Sequence, residues 1–383
     1  MKLLLLTHNY PLFYGDMRGK FLLSLVKGLV EQGVDVVVST PFWISEAANR
    51  ECIDSFSGET IIRFPWAGNR FQSMSPVNPV HILSFLKFCK TWSQSLSTIV
   101  KKEKFDLIIA AWAIPAGILL YNKNIKGVFK GVWLLGTDYH RFMKYPFKPI
   151  IINILKKGNQ VWSNSKRVVS ELQTTRPGLN VFFMPDKTKK WEQFQSSSPV
   201  NDKKNIRLLS IGRLENVKGF DMAIKACRSL IDKGIPVEYE IIGEGSRRSE
   251  LESLISGYGQ HIKLAGKIED DDILLEYLQR CHALVIPSRY EGMPSVFFEA
   301  LEAGKPVIAT DVGDMKVCLR GNSTGKVTAV EDIDGLAESI HMLAEGKVHF
   351  DQQRADELFA EYSVDRSVDL LLSILKNKKT EIL

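Results

Sequence analysis

Cysteine is scarce and scattered in this sequence. Cys52, Cys89, Cys227, Cys281 and Cys318 form no CxxC pair and no zinc-type spacing, and the seven histidines form no HxxxH pair. No disulfide framework and no structural metal is encoded, and a reducing, cytoplasmic setting is the expectation. Long apolar runs are missing too. The opening "MKLLLLTHNYPLF" loses its apolar character at Thr7 and His8, too early for a signal peptide, and no small-residue cleavage site follows. It reads as a buried first strand. The longest apolar stretch, "LIIAAWAIPAGILLY" (107–121), is short of a bilayer span and carries Pro115 and Gly117. Low-complexity tracts are absent.

What is present is the composition of a globular protein, 45% hydrophobic and 25% charged, in 383 residues, which is too long for one ordinary core. Charge is unevenly spread. Residues 1–200 hold 26 Lys+Arg against 13 Asp+Glu, or +13, and residues 201–383 hold 24 against 31, or −7. The first half therefore suits an anionic surface or acceptor, or simply presents a solvated basic face. No nucleic-acid partner is expected.

Both halves alternate short apolar runs with helical patterns, the rhythm of βαβ units around parallel sheets. In the first half strands fit 2–7, 34–39, 105–111 and 130–135, and helices fit 18–32, about 80–102 and 115–122. The polar "EQFQSSSPVNDKKN" (192–205) is the linker candidate. In the second half strands fit 206–212, 237–243, 261–266, 283–288 and 305–310, with helices from Gly219, Ser246, Asp271 and Pro294. The expected fold class is α/β with two Rossmann-like domains facing across a cleft. One covers residues 1–195, with a C-terminal helix near 364–383 packing back on it, and the other covers 203–363. Ligands of such sheets lie beyond the carboxyl ends of the strands, so strand exits are where chemistry is sought.

Four exits of the second half stand out. In "IGRLENVKGFD" (211–221) Arg213 leaves the strand and Lys218 opens the next helix, two cations spaced to suit a diphosphate, or two surface charges beside a turn. In "IIGEGSRRSEL" (241–251) Gly243, Glu244 and Gly245 form a strand–turn–helix element where backbone amides can approach a phosphate, although tight turns use glycine for steric reasons alone. The acidic run in "LAGKIEDDDILLEY" reads as helix capping by Asp270, Asp271 and Asp272 rather than as a metal motif. In "SRYEGMPSVFFE" (288–299) Pro294 fits a first helical position, with Glu291 in the loop and Glu299 about a turn and a half into the helix. Between them lie the amides of Ser295 and Val296, an anion site. Carboxylates accept hydrogen bonds from vicinal hydroxyls, so the pair suits sugar, diphosphate and ribose in one ligand.

Taken together, residues 206–325 resemble the donor-binding domain of retaining GT-B glycosyltransferases of family 4, the glycosyltransferase group 1 family. The match lies in Arg213 and Lys218 as "GRL…KG", Gly243 to Gly245 as the GxG turn, and Glu291 and Glu299 as the E-x7-E element, followed by "ALEAGKPVIATDVGD". The first half resembles the acceptor domain more loosely, through 10–38, "AWAIPAG" and "LLGTD". It departs from the family where a glycine pair is reduced to Gly15 and Gly19, where Leu135 replaces a histidine, and where "PDKTKKWEQF" replaces "PNGVD…F".

The resemblance implies transfer of a sugar from a nucleotide diphosphate sugar to a glycan or lipid-linked acceptor, with retention and without a metal or other cofactor. It places Arg213 and Lys218 on the diphosphate, Glu291 on the donor sugar and Glu299 on the ribose. It adds Gly19, Gly243, Glu244, Gly245, Met293, Ser295 and Val296 as donor contacts, Lys267 and Ile268 beside the base, and Asp138 toward the acceptor, unless Asp138 is a turn residue. His8 and His140 read as structural or exposed. The basic amphipathic stretch 79–104 fits either an anionic membrane surface, with a peripheral location, or sheet-covering core. Two other function classes are weighed: a nucleotide-sugar-binding subunit without turnover, and an NAD-dependent oxidoreductase. Against the latter, no GxGxxG follows the first strand.

Overall fold

The computed structural model describes residues 1–16, 18–44, 52–68, 78–136, 139, 143, 147–191, 205–322 and 324–380. The chain divides into two units, Met1–Thr188 with Tyr362–Leu383, and Lys189–Glu361. The first boundary thus falls several residues before the expected 195, and 192–204, nearly all of the linker candidate, lie outside the described residues.

In the first unit the strands are β1 (Lys2–Leu6), β2 (Asp35–Trp43), β3 (Thr60–Trp66), β4 (Leu107–Ala111), β5 (Phe129–Leu134), β6 (Gln160–Ser163) and β7 (Val181–Phe183). They are parallel, in the order β3-β2-β1-β4-β5-β6-β7. Central strands such as "KLLLL" and "LIIAA" are almost wholly buried, because helices cover both faces of a parallel sheet and leave no polar side to alternate with. One face packs Phe88, Trp92 and Leu96 of the Pro79–Lys102 helix. The other packs Leu22, Leu25 and Leu29 of the Lys20–Glu31 helix with Val364, Val368 and Leu371 of the last helix, Val364–Thr380. Helix–helix approach is close here, since a β-carbon on Gly28 would lie 2.8 Å from a Val368 methyl. Trp92 donates to Ser39 Oγ at 2.9 Å and Trp133 to the Met184 carbonyl at 3.1 Å, so two buried indoles are satisfied. The chain returns to this unit beside the place it leaves, where Lys187 N donates to the Tyr362 carbonyl and Val364 N to that of Lys187.

In the second unit the strands are β8 (Ile206–Ile211), β9 (Val237–Ile242), β10 (Ile262–Gly266), β11 (Ala283–Ile286), β12 (Val307–Thr310) and β13 (Gly325–Thr328), parallel in the order β10-β9-β8-β11-β12-β13. In both units the chain starts in the middle, runs outward on one side, then returns to β1 or β8 and runs outward on the other. The reversal puts a switch point between β1 and β4 and between β8 and β11, where neighbouring loops diverge and leave a crevice. A buried relay ties the central strands of the second unit. Tyr239 Oη donates to Ser210 Oγ at 2.7 Å, which donates to the Val285 carbonyl at 2.6 Å. This fixes the register of β9, β8 and β11 beneath the site.

Candidate active site

Every candidate residue of the second unit follows a strand of this sheet, and the two strands at its switch point supply Arg213, Lys218, Glu291 and Glu299. After β8, Arg213 is exposed; its carbonyl accepts from Glu215 N at 2.7 Å, and among the described residues no hydrogen bond or salt bridge holds its guanidinium. Lys218 ends a short 3-10 turn, Asn216–Lys218, and the helix opens only at Phe220, a small shift from the expected start. The turn closes on Gly219 at φ 65°, where a β-carbon would lie 2.0 Å from the Pro287 carbonyl. Only glycine lets the Lys218 loop lie this close to the exit of β11.

Lys218 Nζ bonds Glu291 Oε1 at 2.6 Å, and Ser288 Oγ donates to the same oxygen at 3.1 Å. The sequence reading gave this cation and carboxylate separate ligand groups; the structure pairs them with each other. Arg289 fixes the two loops. It grips the buried Asp221 through two 2.7 Å bonds, donates to the Asn216 carbonyl at 2.8 Å, and bonds Glu331. Arg289 therefore clamps a position two residues before Lys218 and stands two residues before Glu291. Asp221 lies below the usual carboxylate range: burial pushes it up, but the Arg289 and Arg247 guanidinium groups outweigh that.

The Gly-x-Gly turn after β9 shows the steric use of glycine that its sequence left open. A β-carbon on Gly243 would lie 1.8 Å from the Gly212 carbonyl, and one on Gly245 2.5 Å from that of Leu214. These glycines let two strand exits lie against each other. Leu214 N donates to the Glu244 carbonyl, and Arg247 N to that of Leu214, each at 2.9 Å. The helix starts at Arg248 rather than Ser246, and Ser246 N and Oγ both donate to the Glu215 carboxylate, at 3.2 and 2.8 Å. The amides offered to a phosphate at this helix end are thus occupied from within at Ser246, Arg247 and Arg248. Glu244 is bonded to Arg248 at 2.6 Å. After β10, Lys267 is exposed and paired with Glu269, and Ile268 is half-buried.

Pro294 stands one position before the Ser295–Glu302 helix, with ψ 130°, rather than inside it. No side chain caps this helix, so its start offers the amides of Ser295 and Val296 at the mouth of the switch point. Ser295 is exposed, Val296 half-buried, and Met293 buried beneath them. Glu299 is largely buried, which raises its pKa; Asp271 and Glu302 add to the rise and Lys190 opposes it. Its cation is Lys190, with Nζ at 3.6 Å from Glu299 Oε1 and 2.8 Å from Asp271. The sequence reading missed Lys190: it lies over a hundred residues from Glu299, and only its departure from the family pattern marked the segment. Of the acidic run, Asp270 is the helix cap, accepting from Asp272 N at 2.9 Å and Ile273 N at 3.1 Å, while Asp271 serves Lys190.

In the first unit Gly19 is required on steric grounds. At φ 58° it opens the Lys20–Glu31 helix, and a β-carbon would lie 2.0 Å from the Asn9 carbonyl. Gly15 meets no such constraint of space. His8 packs edge-on to Trp112 at 4.8 Å, and burial holds its pKa down to about 3, as suits a neutral structural imidazole. Asp138 and His140 lie outside the described residues. Among the described residues no group of three or more His, Cys, Asp or Glu side chains converges to hold a metal ion.

Residues 190–363, essentially the second unit, match the family described as Glycosyl transferases group 1. Curated relatives include the amylovoran biosynthesis glycosyltransferase AmsK of Erwinia amylovora, 30% identical over 150 residues, which are 37% of this chain and 37% of that protein. The putative colanic acid biosynthesis glycosyltransferase WcaL of Escherichia coli is 26% identical over 161 residues, 40% of this chain and 38% of its own. These matches thus span well under half of the relatives' length. Among solved structures, sucrose-phosphate synthase from Thermosynechococcus elongatus superposes with a TM-score of 0.74 at 17% identity, over 98% of this chain and 99% of its own. The apo lipopolysaccharide outer core galactosyltransferase WaaB gives 0.71 at 14% identity over the whole of both chains. The fold of the chain is GT-B, and its residues 190–363 match the model of the glycosyl transferases group 1 family.

Proposed function

We propose that this protein is a retaining glycosyltransferase of family 4. It moves a sugar from a nucleotide diphosphate sugar to a glycan or lipid-linked acceptor, in cytoplasmic assembly of a polysaccharide or glycolipid. One observation carries the reading: Arg213, Lys218, Glu291 and the Ser295–Glu302 helix start all leave the two strands flanking the switch point of a group 1 domain. Exposed Arg213 and the amides of Ser295 and Val296 suit the diphosphate. Lys218, already on Glu291, would share its charge with the incoming phosphate and leave Glu291 free to accept hydroxyls of the donor sugar. The leaving diphosphate gains negative charge in the transition state, and fixed cations stabilise it without a metal. The names of AmsK and WcaL support surface polysaccharide synthesis as the setting.

The acceptor side of the reading includes an anionic membrane surface. Among the described residues no helix is long and apolar enough to cross a membrane. The Pro79–Lys102 helix, however, exposes Val80, Ile82, Leu83 and Leu86 together with Lys87 and Lys90 on the side away from Phe88 and Trp92.

The test is a panel of nucleotide sugars, screened by thermal shift and by hydrolysis, with product anomers assigned by NMR and EDTA present in one arm. One nucleotide diphosphate sugar should raise the melting temperature and be turned over, with retained configuration and no loss in EDTA. Stabilisation by NAD and by no nucleotide diphosphate would overturn the reading. Binding without any turnover would reduce the protein to a donor-binding subunit.

A further inference from the structure

Three carboxylates, Asp271, Glu299 and Glu302, gather around the first residues of the second unit, and among the described residues the cation that stands with them is Lys190. Glu302 accepts the backbone amides of Lys190 at 2.9 Å and Trp191 at 2.6 Å, which pins the 190–191 segment to the Ser295–Glu302 helix. The Lys190 side chain is then confined. Its ammonium lies 4.9 Å from the Trp191 ring, 2.8 Å from Asp271 and 3.6 Å from Glu299, and only 17% of the side chain is exposed. We propose that Lys190 is a positioning residue for donor binding: it holds the Glu299 carboxylate in place so that both oxygens accept from the vicinal hydroxyls of the donor ribose. This rests on the glycosyltransferase reading of the site and on the place of Glu299 in it.

The physical reason is the company Glu299 keeps. Burial disfavours its charge, and the facing Asp271 and neighbouring Glu302 add like charge; Lys190 is the group that opposes them. A protonated carboxylic acid donates from one oxygen and no longer offers two charged acceptors side by side. Without Lys190, Glu299 therefore takes up a proton at a higher pH and loses its grip on a diol. Asp271 shares this cation but depends on it less. Its side chain is 42% exposed and solvated, whereas only 18% of the Glu299 side chain reaches solvent.

The experiment measures, by calorimetry from pH 5.5 to 8.5, binding of UDP, GDP and ADP and of their 2′,3′-dideoxy counterparts. Wild type is compared with Lys190→Met, Lys190→Gln, Lys190→Arg and Glu299→Gln. Wild type should prefer one ribonucleotide over its dideoxy form by about tenfold or more, as expected for hydrogen bonds to a charged group. Lys190→Met and Lys190→Gln should lose the preference at the acid end and recover it as pH rises. Lys190→Arg should keep it throughout, and Glu299→Gln should lack it at every pH. The wild-type preference retained at every pH in both neutral variants would overturn the role of Lys190 alone. Failure of wild type to bind any of the three diphosphates would overturn the donor reading, and this proposal with it.

Discussion

Lys218 and Glu291 are each other's partner before any donor arrives, and both are largely buried. Removing one leaves the other charged and poorly solvated, which costs more than the pair itself contributes. Lys218→Met should therefore lower unfolding free energy by roughly 1–3 kcal/mol in urea titrations. The double variant Lys218→Met/Glu291→Gln should recover much of that loss. Transfer should fall by about a hundredfold or more in either single variant and stay down in the double one, because catalysis needs the charges and stability needs only that they match. His8 makes a second prediction at this scale. Burial holds its folded pKa near 3, against 6.5 when unfolded, so its stabilising neutral form is complete above pH 6.5 and lost as pH falls toward 3. Wild-type stability should decline over that window with the slope of one proton, and His8→Asn should flatten it. The motif residues were legible because strand exits are local features. Lys190 was not, since nothing local announces a cation whose carboxylates lie 81 and 109 positions away.

Among the elements, the strands that the sequence revealed are chiefly central ones. β1 after Lys2, β4 and β11 are continuous apolar runs because both their faces are covered. The strands that escaped notice include β3, β7 and β13, all at sheet edges. There "TIIRFPW" tolerates Arg63 and Pro65, because one side of an edge strand has no neighbour to bond. β6 is an inner strand but only four residues long. The Gly-x-Gly turn was legible as a turn but not in purpose, because a glycine needed for a phosphate and one needed for a neighbouring carbonyl look alike in sequence. Loop geometry at the switch point depends on the Arg289 clamp, which joins the exits of β8 and β11 through Asp221 and the Asn216 carbonyl. Arg289→Met leaves Asp221 buried with the longer 3.3 Å contact to Arg247 as its ion pair among the described residues. It should cost roughly 2–4 kcal/mol and loosen both loops. Donor KM should rise and kcat should fall together, which steady-state kinetics separates from a change in affinity alone.

For the molecule as a whole, the charge asymmetry seen along the sequence follows the structural units. Met1–Thr188 with Tyr362–Leu383 carries 28 Lys+Arg against 15 Asp+Glu, or +13, and Lys189–Glu361 carries 22 against 29, or −7. A +6 chain can therefore present a strongly basic unit to an anionic surface while the unit that carries the candidate site stays acidic. The exposed side of the Pro79–Lys102 helix gives that attraction a place to act. Four apolar side chains, partly inserted, contribute about 1 kcal/mol each, and Lys87 and Lys90 about 1 kcal/mol each at an anionic surface. Such a sum corresponds to weak, reversible binding, in the range of about 10–100 μM accessible lipid. Co-sedimentation with phosphatidylglycerol-containing vesicles should show binding that falls steeply between about 50 and 300 mM salt, as the Debye length shortens. Vesicles of phosphatidylcholine alone should bind little. Leu83→Glu with Leu86→Glu, both on the exposed face, should abolish sedimentation while leaving thermal stability and donor binding unchanged. Absence of binding at low salt, or binding unaffected by that pair of substitutions, would remove the membrane from the acceptor side and leave a glycan in its place.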